Sequence, residues 1–473
     1  MAKVYLTTTL PYVNAEPHIG FALEIVEADV IARHRRHLGD EVFFNTGTDE
    51  HGQKIATKAA EAGKDPQTYT DEYAATFKSL RESLNVSFDA FIRTTDPYHK
   101  AAAQEFWKRC DAKGDIYKKK YATKYCVGCE LEKTDSELDH GKCSIHPNLE
   151  VQIIDEENYF FRLSKYGPAL KEYFTAHSDF IVPQYRANEM LALIDSGLQD
   201  FSISRLRAKM SWGIPVPGDD EHVMYVWFDA LVNYIATLGW PDDQRFSDFW
   251  PGIQFAGKDN VRQQSVMWQG MLLSAGIPLT KQIMIHGFVS VDGQKMSKSL
   301  GNVINPQDLV QKYGTDGVRY LLLRHFNPFE DTDVSWTKFD EWYNANLANG
   351  LGNLVARVMK LAEDNLDTPI TIPEPAPFAK EFLDALDRFE FNKAMDYIWS
   401  RIQAVDQRIN AEEPFKLVKT DTEAGKKLIA ELVHELTQIA RLLTPFMPST
   451  AEKISAAVAV NKKPENLFKR LDA

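Results

Sequence analysis

Apolar and polar positions follow one rhythm through the first part of the chain, lose it in the middle and settle into another at the end. Val4 and Leu6 alternate with other residues at the period of a strand. Turn residues follow, and then Ile19, Ala22, Leu23, Val26 and Val30 recur at the i, i+3, i+4, i+7, i+11 spacing of one helical face. Pro17 has the fixed φ of a helix's first turn, and Gly39 closes the segment. Residues 41–47 read as a second, buried strand. Asp65 and Pro66 open a further helix as N-cap and first helical position, and 101–109 continues as helix. This alternation predicts a parallel α/β sheet.

From Gly114 to Pro217 the pattern breaks into short basic and aromatic segments, as expected of an insertion between two halves of an α/β domain. Residues 225–229 resume strand-like sequence and 282–288 form another strand. Beyond Ser335 the chain turns helical, with Leu347, Leu351, Leu354, Val358 and Leu361 at helical spacing within 344–365. A proline-rich connection (Pro369, Pro373, Pro375, Pro377) leads to helices over 379–411, 422–443 and 449–459, with breaks at Pro414, Pro445 and Pro448. Four parts are expected: residues 1–113 and 219–334 as the two halves of the α/β domain, 114–218 as the insertion and 335–473 as a helical bundle.

The chain has 473 residues, 44% hydrophobic and 26% charged, which is ordinary for a soluble globular protein with large cores. No apolar run reaches membrane-spanning length and the N-terminus does not resemble a signal peptide, so a cytoplasmic protein is expected. A net charge of −13 argues against indiscriminate nucleic-acid binding, yet leaves room for a specific polyanion at a local patch. Three patches stand out: Arg33 with Arg35 and Arg36, Lys118–Lys119–Lys120 with Lys124, and Lys416, Lys419, Lys426 and Lys427.

Three of the four cysteines cluster. Cys126 and Cys129 form one x₂ pair, and Cys143 with His146 forms a second, 13 residues on. Four such ligands suit tetrahedral Zn²⁺, and with no open coordination position the metal is expected to be structural. Cys110 is left over as a packed helical residue.

His18 and Gly20 fall at a strand-to-helix junction, where free N–H groups and the helix dipole attract phosphate. Far downstream, Lys295-Met296-Ser297-Lys298-Ser299 places two lysines three apart on a glycine-flanked loop, able to reach one triphosphate and close over it. Each stretch alone is unremarkable. Together, in this order and on halves split by an insertion, they resemble the class I aminoacyl-tRNA synthetases. Thr7 to Tyr12, Tyr225 to Leu231, and Ile203-Ser204-Arg205 followed by Trp212 to Pro217 are similar to the methionyl-tRNA synthetase family, over nearly the whole chain.

That resemblance implies a Rossmann-like catalytic domain split by a zinc-bearing insertion and followed by an α-helical anticodon-binding bundle. It implies activation of L-methionine by ATP, with Mg²⁺, to methionyl-adenylate and pyrophosphate, then transfer to tRNA-Met. His18, Lys295 and Lys298 would carry the phosphate chemistry. Gly20, Glu24, Lys258, Asp259, His286, Gly287 and Ser297 would hold the rest of ATP. Asp49 would take the methionine ammonium, in a pocket of Leu10, Tyr12, Trp227, Ala230, Tyr234, Gln264 and Trp268. Asn349, Asn353 and Arg357, at i, i+4, i+8, and Phe415 would read the anticodon.

The chain departs from the family pattern at Phe21, where a second histidine is usual and whose task would pass to a group such as Lys54. Gln263 and Gln264 stand for the usual Phe-His pair, and Phe415 for a tryptophan. Two related readings stay open at this level: a cysteinyl-tRNA synthetase and a catalytically impaired, synthetase-derived tRNA-binding protein. The first would place its metal in the substrate pocket, unlike this cluster. A small-molecule adenylyltransferase is disfavoured by the Asn-Asn-Arg helix face. No dimerising module follows the bundle, so a monomer is expected.

Overall fold

The computed structural model describes residues 1–128, 131–133, 137–296, 301–374 and 376–471. Cys129, Ser297, Lys298, Ser299 and Pro375, singled out above, lie outside them. Six strands build the central sheet: β1 (Lys3–Thr8), β2 (Glu41–Thr48), β3 (Ala90–Arg93), β4 (Ile181–Val182), β5 (Ile253–Gly257) and β6 (Gln282–His286). Their order is β3-β2-β1-β5-β6-β4, and every pairing is parallel. Leu6 lies opposite Phe44 on one side and Ile253 on the other. The edge strand β4 belongs to the 114–218 segment, so that segment also contributes to the sheet.

Both sheet faces are covered, and the side-chain period of two sorts residues between two cores. Leu6, Phe44, Phe255 and Met284 face a core that continues through α1 (Ile19–His37) into the helical bundle. Tyr5, Ile92, Ala256, Ile283 and Ile285 face the other, built with the helix Pro97–Ala112 and the base of the insertion. Because α1 is wedged between the sheet and the helix Thr315–His325, it is buried nearly all round, including Glu24, Glu27 and Asp29. A single apolar stripe understates it.

Two local expectations are corrected. The helix starts at Ile19 with His18 as N-cap, so Pro17 precedes the cap and is not in the first turn. Residues 225–229 are not a strand: Val226–Ala230 is a short helix entered from the strand Asp219–Met224. Val226, Phe228, Asp229 and Ala230 are all buried, and periodicity cannot separate a short helix buried all round from a buried strand. Other features agree. Asp65 caps its helix by accepting from the Thr68 N–H at 3.0 Å, Gly39 has φ +87° just past α1, and Cys110 is fully buried on its helix.

The insertion is dominated by a long antiparallel pair, Ile116–Cys126 with Val151–Phe161, which carries Cys126 away from the sheet. A small hairpin, Leu138–Asp139 with Lys142–Cys143, brings Cys143 back. After β6, Val289–Val291 and Gln294–Lys295 form a hairpin. Asp292 and Gly293, at φ +52° and +72°, close it in the left-handed turn geometry that matches strand twist. The strand Thr332–Val334 lines this hairpin in parallel and runs into the bundle through Ser335, which caps Trp336–Trp342.

Candidate active site

The strand order switches sides at β1, whose neighbours β2 and β5 lie on opposite sides. In an open parallel sheet the crevice forms there, beyond the carboxyl ends of the strands. The loops after β1, β2, β5 and β6 deliver Leu10, Tyr12 and His18, then Asp49, then Lys258 and Asp259, then Gly287, the last next to His286 at the end of β6. Topology alone therefore gathers residues that are hundreds of positions apart.

His18 accepts the Gly20 N–H on Nδ1 at 3.1 Å, so its remaining proton sits on Nε2. Its ring is open to solvent but set in a concave wall, and this desolvation lowers its pKa against the opposing pull of Asp259. The neutral imidazole is a fixed-tautomer donor. A Cβ on Gly20 would sit 2.9 Å from His18 Cε1, so the glycine makes the cap possible. Asp259 lies in the same wall, and desolvation raises its carboxyl pKa.

Glu24 is 4% exposed and fully engaged. Its Oε1 accepts from the Thr9 N–H at 2.7 Å and the Thr9 hydroxyl at 2.6 Å, and its Oε2 meets His286 Nε2 at 2.9 Å. His286 Nδ1 lies 2.8 Å from the Gly287 carbonyl. Both ring nitrogens thus face acceptors. Burial works against the charged imidazole, but Glu24 and its neighbours win and hold the pKa at about 9. Gly287 is packed so tightly that a Cβ would sit 2.2 Å from the Glu330 carbonyl. Lys258 makes two contacts with Asp331, at 2.6 and 2.7 Å.

Lys295 is exposed at the hairpin's end, and the Asn302 amide donates to its carbonyl at 3.2 Å. Its charge is felt at Asp259 and at His146, which also feels Lys54. The tip of the insertion therefore stands beside the mouth of the crevice. Lys54 also lies over the Tyr12 ring at 5.7 Å, close to the site as its candidacy requires.

Deeper in, Leu10, Trp227, Tyr234 and Trp268 pack in one core, with Ala230 buried near Trp227 in sequence, while Tyr12 and Trp227 share a smaller cluster with Tyr125, Tyr225 and Val226. The backbones of Tyr12 and Asp49 bridge directly. The chain widens to an i→i+5 turn over Gln263–Met267, a feature common at functional sites. Gln264 there donates from Nε2 to the Tyr234 hydroxyl at 2.7 Å. A polar amide thus stands in a wall otherwise made of Tyr234 and Trp268, whose rings are 5.9 Å apart.

Sequence reasoning passed over three residues here. His51 and His99 both contact the buried Asp229, with no spacing signature to announce them.

Cys126, Cys143 and His146 place their ligand atoms within 4.8 Å of one another. Gly128 shapes this cradle, because a Cβ on it would lie 2.5 Å from the His146 ring. In the bundle, Asn349, Asn353 and Arg357 line one groove together with Trp399, Gln403 and Gln407, which the sequence reading did not select. Arg357 reaches Asp406 at 2.6 Å and Asn410 at 3.1 Å. Phe415 is 44% exposed on the neighbouring helix Pro414–Thr420, outside that lining. The arginine patch on α1 is neutralised internally by Asp29, Asp40 and Asp89. Among the described residues no helix is long and apolar enough to cross a membrane.

A parallel sheet split by an insertion, with a histidine capping its first helix and a lysine hairpin after its last strand, is the arrangement of a class I tRNA synthetase. The sequence pattern of tRNA synthetases class I (M) matches residues 4–147 and 129–359. Within that class the chain belongs to the methionine–tRNA ligase family. It is 39% identical to methionine–tRNA ligase of Thermotoga maritima over all of this chain and 81% of that one. It is 42% identical to the same enzyme of a Nostoc species over 95% and 88%. Mycobacterium tuberculosis methionyl-tRNA synthetase in complex with methionyl-adenylate superposes with a TM-score of 0.89 at 36% identity, covering 100% of this chain and 99% of that one.

Proposed function

We propose that this chain activates methionine with ATP at the carboxyl edge of the sheet and transfers it to tRNA. The observation that carries the reading is the meeting of His18, Asp259, His286 and Lys295 at the ends of β1, β5 and β6. A methionine carboxylate is already ionised at neutral pH, so its attack on the α-phosphorus needs positioning and charge stabilisation and no strong base. His18 would donate its Nε2–H to the phosphates, and Lys295 with Lys298 would close over them. The nucleoside would lie against Gly257–Asp259 and His286–Gly287, with Glu24 acting through the imidazolium it holds. Asp49 would take the α-ammonium while Leu10, Tyr12, Trp227, Ala230, Tyr234, Gln264 and Trp268 enclose the side chain, aromatic surface suiting a polarisable thioether.

Mg²⁺ arriving with ATP would neutralise charge on the departing pyrophosphate. Zn²⁺ would be held by Cys126, Cys143 and His146, with Cys129 by its spacing, and would cross-link the insertion. The soft donor set and the cradle at Gly128 support it. The groove with Asn349, Asn353, Arg357 and Trp399 offers amides and a buried aromatic edge to splayed anticodon bases, with Phe415 as a stacking surface beside it.

Amino-acid-dependent pyrophosphate exchange tests the reading. Exchange is expected with methionine alone of the protein amino acids, followed by charging of tRNA-Met; exchange with cysteine, or none, defeats it. His18→Asn keeps a helix cap but leaves no donor at the position of the imidazole Nε2–H, and is expected to lower the exchange rate by about 100-fold.

A further inference from the structure

The most unusual buried chemistry outside the assigned groups is Asp229 with its two histidines. Asp229 is completely buried. Its Oδ2 lies 2.7 Å from His51 Nδ1 and its Oδ1 lies 2.7 Å from His99 Nε2. Both imidazoles are buried too, and each must present an N–H to the carboxylate. The other nitrogen of His99, Nδ1, is buried with no partner among the described residues.

The three residues come from three different elements of the chain. His51 follows β2, two residues after Asp49. His99 is in the first turn of the helix Pro97–Ala112. Asp229 lies in the helix Val226–Ala230, between Trp227 and Ala230. Around this point the segment after β2 is pinned repeatedly. Glu50 accepts from Arg93 at 2.7 and 2.8 Å, and its carbonyl accepts from the Trp212 indole at 2.5 Å. Phe228 fixes the short helix from below, against Phe106 and Trp107 at 5.9 and 5.2 Å. The carboxylate of Asp229 is the link between these two rigid bodies. One carries the carboxylate read above as the ammonium acceptor, the other the aromatic wall.

We propose that Asp229, through His51 and His99, is a positioning group for the amino-acid substrate, setting the gap between Asp49 and Trp227. This rests on the reading of Asp49 and Trp227 as pocket residues. The gap fixes where the substrate's α-carbon and side chain sit together, and a misplacement of about 1 Å at a reacting centre can cost on the order of a hundredfold. The nucleotide side, built from β1, β5 and β6, does not depend on it.

The chemistry of the cluster makes a pattern of outcomes that packing alone does not produce. In Asp229→Asn one of the two former acceptor atoms becomes an NH₂ facing an N–H. One histidine must then change tautomer, as in an Asp→Asn change beside a catalytic histidine. His99 cannot do so cheaply, since its Nδ1 has no acceptor, so His51 turns. An asparagine amide nitrogen overlays histidine Nδ1, and a glutamine amide nitrogen overlays Nε2. His51→Asn and His99→Gln therefore restore the bonds, while His51→Gln and His99→Asn, of the same chemistry, do not.

The test is methionine affinity by equilibrium dialysis, with the Michaelis constant for ATP from pyrophosphate exchange, on the full chain. Asp229→Asn, His51→Gln and His99→Asn are expected to weaken methionine binding at least about tenfold and change the ATP constant less than about twofold. His51→Asn and His99→Gln are expected to bind methionine within about threefold of the parent. Methionine affinity unchanged in the mismatched pair, or methionine and ATP weakening together, overturns the proposal. The histidine pairs keep the carboxylate, so the test stands even if Asp229→Asn does not fold. Asp49→Asn separates the two levels. If it leaves methionine affinity intact the pocket reading itself fails, and if it alone weakens methionine only the Asp229 inference fails.

Discussion

At His286 a single side chain joins the end of β6 to the first helix. Its imidazolium donates to Glu24 and to the Gly287 carbonyl, and its pKa of about 9 stands above the ordinary 6.5 because those acceptors outweigh burial. A group with a raised folded-state pKa contributes stability that is complete below its unfolded value and fades as pH rises through its folded one. The window is therefore about pH 6.5 to 9. Glu27, buried three residues along α1 from Glu24, has its own carboxyl pushed up to about 8 by that burial, so its contribution also falls as pH rises. Comparing melting temperatures of the parent and His286→Gln isolates the histidine. The parent's advantage is expected to be largest near pH 6 and to shrink through pH 9; an advantage that grows with pH is the contrary result. A second residue lesson is that Gly20 serves His18 first. Without a side chain it lets the imidazole cap α1 and fixes which nitrogen carries the proton.

At the scale of elements, the hairpin and knuckle of the insertion converge on one glycine. A methyl group on Gly128 would press on the His146 ring at 2.5 Å, so the ring would have to shift. The parent is expected to carry zinc at this cluster and Gly128→Ala to lose most of it, measured as metal per chain by atomic emission, while the sheet keeps its circular dichroism. Full metal retention would mean that His146 is not a ligand. Much of this level was legible in the sequence. The strand at 41–47, the cap at Asp65 and the spacing of Cys143 and His146 are local patterns, and local patterns survive folding. What escaped was either ambiguous or distant. Val226–Ala230 is buried all round, so no period revealed it as a helix. Asp229 meets partners 178 and 130 positions away, a relation no spacing encodes. Glu24 reads in the sequence as a nucleotide-site candidate, but its engagement by Thr9 and His286 emerges only from the packed strand ends.

Across the whole molecule, Arg319 ties the parts together. Fully buried, it meets Asp29 of α1 at 2.8 Å and donates to the carbonyls of Leu84, Pro445 and Phe446 at 3.1, 2.9 and 2.7 Å. The catalytic helix and the C-terminal bundle thus share one guanidinium. Removing it takes one of the two arginines from Asp29, which keeps Arg33 at 2.7 Å and two bonds from Ser87. The cost is therefore expected to fall below the roughly 3–5 kcal/mol of a fully uncompensated buried charge. Arg319→Met is expected to show that loss in urea unfolding and to split one transition into two as the bundle separates from the sheet. A single transition with unchanged midpoint would show that the strut is dispensable.

The strand order also has a consequence for how this protein is made. β1 pairs with β2 as soon as both leave the ribosome, but its other partner, β5, is some 250 residues further on, which at about 5–20 residues per second is about 12–50 seconds of synthesis. Throughout that interval β1 is an open edge of Leu6, Thr7 and Thr8, groups that end up completely buried. The nascent first half is therefore a natural client for chaperones. Slowing translation through the insertion lengthens the exposure of the very strand that leads to His18.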